Sequence, residues 1–117
     1  MNKRVKKAVD EFVEEVKKFD VDEIILYGSA ARGEYVPEKS DVDILVVSRE
    51  PKKTYEKILD IESDIGLRDN VLLSAVVKSP HNFKQELKWG SPFLRNVVGE
   101  GIVLYGKNNT KTAGTSG

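Results

Sequence analysis

The sequence of 117 residues contains no cysteine, only one histidine and no excess of charge of either sign. Without cysteine there is no disulfide, thiolate nucleophile, cysteine-ligated zinc site or iron–sulfur cluster. The single His81 excludes a metal site built from several histidines. Because 19 basic and 19 acidic residues balance, the composition does not indicate binding to nucleic acid or to a charged membrane surface. Carboxylates, hydroxyls and the backbone are left to bind metal or move protons.

Long apolar segments are missing as well. No stretch approaches the roughly 18 apolar residues needed to cross a membrane. The charged N-terminus (MNKRVKKAVDEFVEEV) lacks the apolar centre of a signal peptide. We therefore expect a cytoplasmic protein without a membrane segment. The length is typical of one domain that buries its core without cross-links.

The apolar residues that are present predict alternating helices and strands. Between residues 3 and 19 they recur every three or four positions, which indicates an amphipathic helix. Short apolar runs indicate buried strands at 23–27, 41–47, 71–77 and 102–105. Further helical segments are expected as follows: a single turn over 30–33 with Ser29 as its N-cap, a helix from Pro51 to Gly66, a short helix around Phe83 and Leu87, and another that begins at Ser91 and Pro92.

This order of elements predicts an α/β or α+β fold, with one sheet of about four strands and helices packed against it. We expect residues 1–105 to form the domain. Residues 106–117 (GKNNTKTAGTSG) contain no large apolar side chain, and we expect them to form a flexible C-terminal tail.

Two polar motifs stand out at the ends of predicted strands. Asp41 and Asp43 are separated by one residue on a strand, so both side chains point to the same face. Two neighbouring carboxylates repel each other unless they share a cation, and Mg²⁺ suits such oxygen ligands. Gly28 and Ser29 end the preceding strand, where backbone N–H groups at a helix start favour an anion. Either motif alone is common in surface turns, but together they indicate phosphoryl or nucleotidyl transfer.

These motifs resemble a known family. Residues 26–33 (LYGSAARG) and 40–46 (SDVDILV) are similar to the nucleotidyltransferase signature of the DNA polymerase β superfamily. They resemble most of all the minimal, MNT-type nucleotidyltransferases of archaea and bacteria. Residues 91–97 and 100–105 are similar to the end of many such domains, so the resemblance covers roughly residues 3 to 105. It implies an α+β, nucleotidyltransferase-like fold with one mixed sheet of about four strands and flanking helices.

The resemblance also implies roles for individual residues. Gly28 and Ser29 would contact the triphosphate of ATP or another nucleoside triphosphate, and Asp41 and Asp43 would bind Mg²⁺, as two ions. Arg32 would help to neutralise the phosphates, although it is equally well interpreted as a surface arginine. Ser40 would shape the turn beside the nucleotide by a local hydrogen bond. The implied reaction is attack by an acceptor hydroxyl on the α-phosphate, with release of pyrophosphate.

The sequence departs from the family at the third carboxylate, which usually comes from a neighbouring strand. The strand at 71–77 contains no acid, and Ser74 is its only polar residue. We expect Ser74 to occupy the third position, with Asp69 as the alternative if the strand extends further towards the N-terminus. Serine replaces neither a catalytic base nor a strong metal ligand. The site is therefore expected to be weak or to depend on a partner.

The family resemblance further implies a partner. It suggests a HEPN-type protein, with this chain as the antitoxin of a toxin–antitoxin pair that transfers AMP to that partner; a homodimer is also open. The alternative is a catalytically weak or inactive protein that only binds nucleotide or partner. Transfer to a small molecule is less favoured, and nucleic acid is not indicated.

Several other residues are interpreted as structural. They are His81, as a loop residue at the surface; Asp60, Glu62 and Asp64, as surface residues of the middle helix; and Trp89, Phe93 and Tyr105, as core or partner-facing residues rather than base-stacking platforms, because no basic residues are interleaved with them.

Overall fold

The computed structural model describes residues 2–37 and 39–107. The elements follow in the order α1 (Lys3–Val16), β1 (Val21–Tyr27), α2 (Gly28–Arg32), β2 (Val42–Ser48), α3 (Pro51–Asp69), β3 (Leu73–Lys78), α4 (Pro80–Lys88), α5 (Pro92–Glu100) and β4 (Ile102–Gly106). The predicted α+β fold is confirmed. No helix among the described residues is both long enough and apolar enough to cross a membrane.

The four strands form one mixed sheet in the order β3-β2-β1-β4. Strand β1 runs antiparallel to β2 and β4, whereas β2 and β3 are parallel. Helix α3 joins the parallel pair, because such a connection must return to the end of the sheet where β2 began. The C-terminal end of β1 therefore lies beside the N-terminal ends of β2 and β3. The two polar motifs of the sequence meet at this end of the sheet.

Helices α1 and α3 cover the first face of the sheet. Helix α1 is amphipathic, and Val5, Phe12 and Val16 on its apolar side are fully buried. Alternate residues of the strands face these helices, as expected from the two-residue period of a strand. The sheet and α3 contribute the following buried residues to this core: Ile24, Leu26, Val42, Ile44, Val46, Ile58 and Ile65.

Helices α4 and α5 cover part of the second face. They bury a smaller cluster made of Ile25, Leu45, Val47, Leu94 and Val97, with Phe83 and Leu87 packed at its margin. Towards the end of the sheet where the polar motifs meet, this cover is incomplete. Asp43 and Ser74 lie there on the second face and are only partly buried.

Several element boundaries differ from the sequence predictions. Helix α3 continues through Gly66 to Asp69, because the chain reverses only at Asn70, which has φ of 56° and donates its N–H to the Gly66 carbonyl. Helix α2 begins at Gly28, so the predicted N-cap, Ser29, lies within its first turn. The φ of 77° at Gly28 turns the chain directly from strand into helix. Helix α1 ends at Val16, three residues earlier than predicted.

The predicted tail at 106–117 falls almost entirely outside the described residues. Gly106 is the last residue of β4 and pairs with Glu23 of β1. The N–H of Lys107 donates to the Asp22 carbonyl at 2.8 Å. The described part of the sheet therefore includes the first residue that the sequence analysis placed in the tail.

Gly101 connects α5 to β4 at a position where a side chain does not fit. A Cβ atom there would overlap the Val97 carbonyl oxygen and lie 2.6 Å from Ile25 Cγ2. We expect Gly101→Ala to lower the free energy of unfolding by about 1–3 kcal/mol, as overpacking of a core does. Urea unfolding followed by circular dichroism measures the change.

Gly99, two residues earlier, is the matched control for this substitution. A Cβ atom at Gly99 meets nothing within 4 Å, and the residue lies in α5. Gly99→Ala is therefore expected to be neutral or to stabilise the protein by up to about 1 kcal/mol, since alanine favours a helix. Equal stabilities of the two variants would contradict the close packing at Gly101.

Candidate active site

Asp43 lies in the centre of the candidate site. It is paired in register with Tyr27 of β1 on one side and with Ser74 of β3 on the other. Paired residues of neighbouring strands project from the same face, so these three side chains form one row across the sheet. Asp41 directly precedes β2, two residues before Asp43, and is exposed.

At Gly28 the backbone of the chain lies close to Asp43, the middle residue of this row. The φ of Gly28 is 77°, and a Cβ atom at this position would lie 2.5 Å from Asp43 Oδ2. The conformation and the space therefore both require glycine. Ser29 follows it in α2, is partly buried, and accepts the Glu34 N–H through its carbonyl at 2.8 Å.

The carboxylates in and next to this row give it more negative than positive charge. Burial raises the pKa of Asp43 above its ordinary value, and the neighbouring Asp41 charge raises it further, while Arg32 lowers it. Burial, followed by the Asp43 charge, raises the pKa of Tyr27 to about 12, so the Tyr27 phenol is neutral at physiological pH. The site thus holds negative charge that a bound cation would stabilise.

The residues present fit a hard divalent cation. Asp41 and Asp43 offer carboxylate oxygens, and burial together with the Asp41 charge raises the pKa of Asp43 although Arg32 lowers it. Within residues 2–37 and 39–107, no group of three or more acidic or histidine side chains is arranged to hold a metal ion. Two carboxylates suit Mg²⁺, which keeps several waters and takes further ligands from substrate phosphates.

Arg32 lies in α2 near Asp43, but two other carboxylates already bind it. Its Nε donates to Glu34 Oε1 at 2.9 Å, and its Nη1 donates to Glu100 Oε1 at 3.0 Å. The Glu34 contact makes the largest contribution to its raised pKa. The second contact links α2 to the end of α5. Because the arginine side chain is exposed, such ion pairs contribute little stability and exchange readily.

Ser40 makes a local contact in the loop before β2. Its hydroxyl accepts the Val36 N–H at 3.1 Å, and the Ser40 N–H in turn donates to the Val36 carbonyl at 2.9 Å. These two bonds close the turn that leads to Asp41. The structure therefore places Ser40 in a local hydrogen bond of the kind that the sequence analysis expected.

Among residues 2–37 and 39–107, no third carboxylate takes the place beside Asp43 that the family usually fills with one. Ser74 is the register partner of Asp43, as expected for the residue at that position. Asp69, the alternative, is wrong: it is buried at the end of α3, and its Oδ1 accepts a hydrogen bond from Lys7 Nζ at 2.9 Å. The reason is the greater length of α3, which carries Asp69 towards α1 and away from the strand.

Glu62 is not the surface residue that the sequence analysis expected. It is partly buried, and its Oε2 accepts the Ala75 N–H at 2.8 Å on the outer edge of β3. Burial raises the pKa of this carboxyl above its ordinary value. Ala75 packs against the first core, so Glu62 reaches the sheet from the face opposite Ser74. Its spacing in α3, four residues after Ile58 and three before Ile65, places it on the buried side of the helix and was the sequence signal for this contact.

Two aromatic residues border the site. The rings of Tyr27 and Phe93 lie with centroids 5.5 Å apart and planes at 82°. Phe93 lies in the first turn of α5 and is 37% exposed, so it is not a core residue. The remaining aromatic and histidine residues lie as follows: Tyr105 packs against the first core, Trp89 is 76% exposed after α4, and His81 is exposed within α4.

An open groove of about 490 Å³ begins at Asp41 and runs past the C-terminal part of α3. Leu67 and Leu72 line it and are 89% and 63% exposed. Large apolar side chains exposed together are typical of a binding surface. Of the two carboxylates only Asp41 lines the groove, and Glu62 of α3 lines it as well, so the groove lies on the α3 side of the sheet.

The fold and the geometry of the site indicate a class of protein. A strand that ends at a glycine packed against an aspartate of the next strand, with a second aspartate beside it, is typical of domains that transfer phosphoryl or nucleotidyl groups. The nucleotidyltransferase domain family matches residues 5–105. The chain therefore belongs to the nucleotidyltransferase domain family.

Two proteins of Methanocaldococcus jannaschii are among its relatives, and both are described as candidate protein adenylyltransferases. One is 38% identical over 102 residues, which cover 85% of this chain and 96% of the relative. The other is 34% identical over 89 residues, which cover 74% of this chain and 82% of the relative.

Two solved structures have a similar fold. A candidate nucleotidyltransferase from Sulfolobus solfataricus superposes with a TM-score of 0.50 at 23% identity, over 89% of this chain and 84% of that one. A structure described as a toxin–antitoxin with AMP-PNP superposes with a TM-score of 0.57 at 17% identity, over 92% of this chain and 77% of that one. At these identities the likeness concerns the fold alone.

The Lys7–Asp69 contact generates a pH-dependent prediction. The hydrogen bond from Lys7 lowers the pKa of Asp69 below its ordinary value, so the charged carboxylate stabilises the folded state. This stabilisation is present above the unfolded pKa of about 4 and is lost as the pH falls through the lower folded value. We expect Asp69→Asn to have a lower Tm than the original protein at pH 7.

The difference in Tm is expected to shrink as the pH is lowered below about 4, because Asp69 then becomes neutral in the original protein as well. Lys7→Met is the matched control and should have a similar effect at pH 7. A Tm difference for Asp69→Asn that does not depend on pH would contradict the ion-pair interpretation.

Proposed function

We propose that this nucleotidyltransferase transfers AMP from ATP to a hydroxyl group of a partner protein. The observation that carries this proposal is the packing of Gly28 against Asp43, with Asp41 beside it. This arrangement offers a backbone surface for phosphates next to oxygen ligands for a cation. The relatives described as protein adenylyltransferases support adenylyl transfer to protein.

The nucleotide site is proposed to consist of groups from α2 and β2. The backbone N–H groups of Gly28 and Ser29 donate hydrogen bonds to the triphosphate, and Arg32 exchanges its carboxylate partners for phosphate oxygens. Ser40 holds the loop that positions Asp41. Asp41 and Asp43 would hold Mg²⁺, as two ions, and the bound metal supplies neutralisation of the charge on the reacting phosphate oxygens.

The reaction makes one bond and breaks another at the α-phosphorus. The acceptor oxygen bonds to this phosphorus while the bond from the phosphorus to the oxygen that bridges to the β-phosphate breaks. Pyrophosphate leaves with that oxygen, and the hydroxyl proton passes to water. Ser74 does not take the proton, because a serine hydroxyl is not a base at neutral pH.

The proposed acceptor is a protein, and the groove at Asp41 supports this choice. Leu67 and Leu72 offer apolar contacts to a macromolecular partner in the groove that begins at Asp41. We propose a HEPN-type toxin as the partner and this chain as its antitoxin; the fold of the toxin–antitoxin structure with AMP-PNP supports that pairing. A homodimer is the alternative assembly. Use of ATP agrees with the expected cytoplasmic location.

A second candidate function is supported by Ser74. In register with Asp43 the chain carries a hydroxyl where the family usually carries a carboxylate. A protein with two acidic ligands binds nucleotide and partner but transfers AMP slowly or not at all. The two candidates differ in whether covalently bound AMP accumulates.

The transfer is tested with ATP labelled at the α-phosphate, Mg²⁺ and the candidate partner protein. We expect label on the partner, and we expect Asp43→Ala to reduce the rate by more than the roughly 10- to 100-fold loss caused by changing an outer-shell residue of a metal site. Asp60→Ala, which removes an exposed carboxylate of α3, is the matched control and should not change the rate. Unchanged labelling by Asp41→Ala and Asp43→Ala would contradict the metal-site proposal.

The missing carboxylate is tested by restoring it. Ser74→Asp places an acid in register with Asp43, where it adds an oxygen ligand for the metal and a base for the acceptor hydroxyl. We expect labelling to become at least about tenfold faster and to need less Mg²⁺, since a positioned base contributes about 10²- to 10⁴-fold. Ser74→Asn, which lacks the charge, is the control. A loss of activity in Ser74→Asp alone would show that the site is built for two carboxylates.

A further inference from the structure

An aromatic surface lies beside the carboxylates and has no part in the reaction described so far. Tyr27 directly precedes Gly28 and is the register partner of Asp43. Phe93 of α5 packs on Tyr27 with ring centroids 5.5 Å apart. Although Phe93 is large and apolar, it is 37% exposed. The two rings therefore form an open aromatic surface on the β1 side of Asp43.

We propose that Phe93, supported by Tyr27, forms the surface on which the base of the bound nucleoside triphosphate stacks. This inference rests on the proposed function, because it requires a triphosphate at Gly28. An aromatic side chain accepts any base, since every base has a π face. The expected ligand class is thus a nucleoside triphosphate whose base is bound mainly by stacking.

The layout of the site agrees with this assignment. Attacking and leaving oxygens lie roughly in line on opposite sides of the reacting phosphorus, so the ribose and base extend to neither of these sides. The Tyr27–Phe93 pair lies on the same face of the sheet as Asp43, on the side of Asp43 away from Ser74. A base stacked on this pair leaves the Ser74 side of Asp43 open to the acceptor.

The position of Phe93 on its helix agrees with this assignment. Phe93 belongs to α5, whose Leu94 and Val97 are fully buried against the sheet. The exposed ring is therefore held on a rigid element, which lowers the entropy lost when a base stacks on it.

A purely structural role for Phe93 makes a different prediction. Edge-to-face packing on Tyr27 stabilises the fold, and its loss would shift Gly28 and weaken every phosphate ligand alike. Stacking on a base affects only those ligands that carry a base. A pair of ligands with and without a nucleoside therefore separates the two roles.

The experiment measures the binding of two probes in the presence of Mg²⁺ by titration calorimetry. One probe is α,β-methylene-ATP, which is not cleaved at the reacting bond, and the other is inorganic tripolyphosphate. We expect Phe93→Ala to weaken α,β-methylene-ATP by about 5- to 100-fold, the usual effect of removing one base–aromatic stack. Tripolyphosphate affinity is expected to stay the same.

Three further variants complete the test. Phe93→Tyr keeps the aromatic face and should bind α,β-methylene-ATP like the original protein, whereas Phe93→Leu keeps apolar packing on Tyr27 and should lose affinity like Phe93→Ala. Trp89→Ala removes another exposed aromatic side chain, between α4 and α5, and should have no effect. Circular dichroism checks that each variant is folded.

The outcomes distinguish the two proposals. If Phe93→Ala and Phe93→Leu bind α,β-methylene-ATP as tightly as the original protein does, or lose affinity for both probes equally, the stacking inference is wrong while the proposed nucleotide site stands. If the original protein binds neither probe, the proposed function fails and the inference fails with it.

Discussion

The close approach of the Gly28 backbone to the Asp43 carboxylate is the constraint on which the candidate site depends. No side chain fits at Gly28, and its positive φ turns the chain from β1 into α2 at that residue. The pairing of β1 with β2 brings the two positions together. The backbone proposed to bind phosphate and the carboxylate proposed to bind a cation thereby lie side by side. Part of this arrangement is electrostatically unfavourable, because burial and Asp41 raise the pKa of Asp43.

Apolar packing on the two faces of the sheet offsets the unfavourable electrostatics near Asp43. Two helices cover the first face, and two shorter ones cover part of the second. The cover stops near Asp43, so the candidate site lies on the rim of a rigid core, as functional sites commonly do. The contact between Arg32 and Glu100 links α2 to α5. The helix proposed to face the phosphates and the helix that carries Phe93 are thus joined by an exposed ion pair.

Much of the site was predictable because its signals are local in sequence. One intervening residue places Asp41 and Asp43 on one face, and a glycine after an apolar run marks a turn. Ser74 was predictable as the register partner of Asp43, because it is the one polar residue of the predicted strand at 71–77. One error has a tertiary cause. Asp69 is carried to Lys7 because Asn70, rather than Gly66, reverses the chain after α3. The prediction for Glu62 was wrong for a different reason: helical periodicity places it on the buried side of α3 with Ile58 and Ile65, where it binds the edge of β3, but its charge suggested the surface.

The sequence by itself determined the order of elements, the family and the two motifs that meet in the site, because periodicity, turn residues and short spacings act over a few neighbouring positions. Only the tertiary structure decided which distant groups come together: Phe93 with Tyr27, Arg32 with Glu100 and Asp69 with Lys7. Such contacts depend on how helices pack on the sheet and where each helix ends. A shift of one turn in a helix moves a side chain by several ångströms, and no local pattern records that shift.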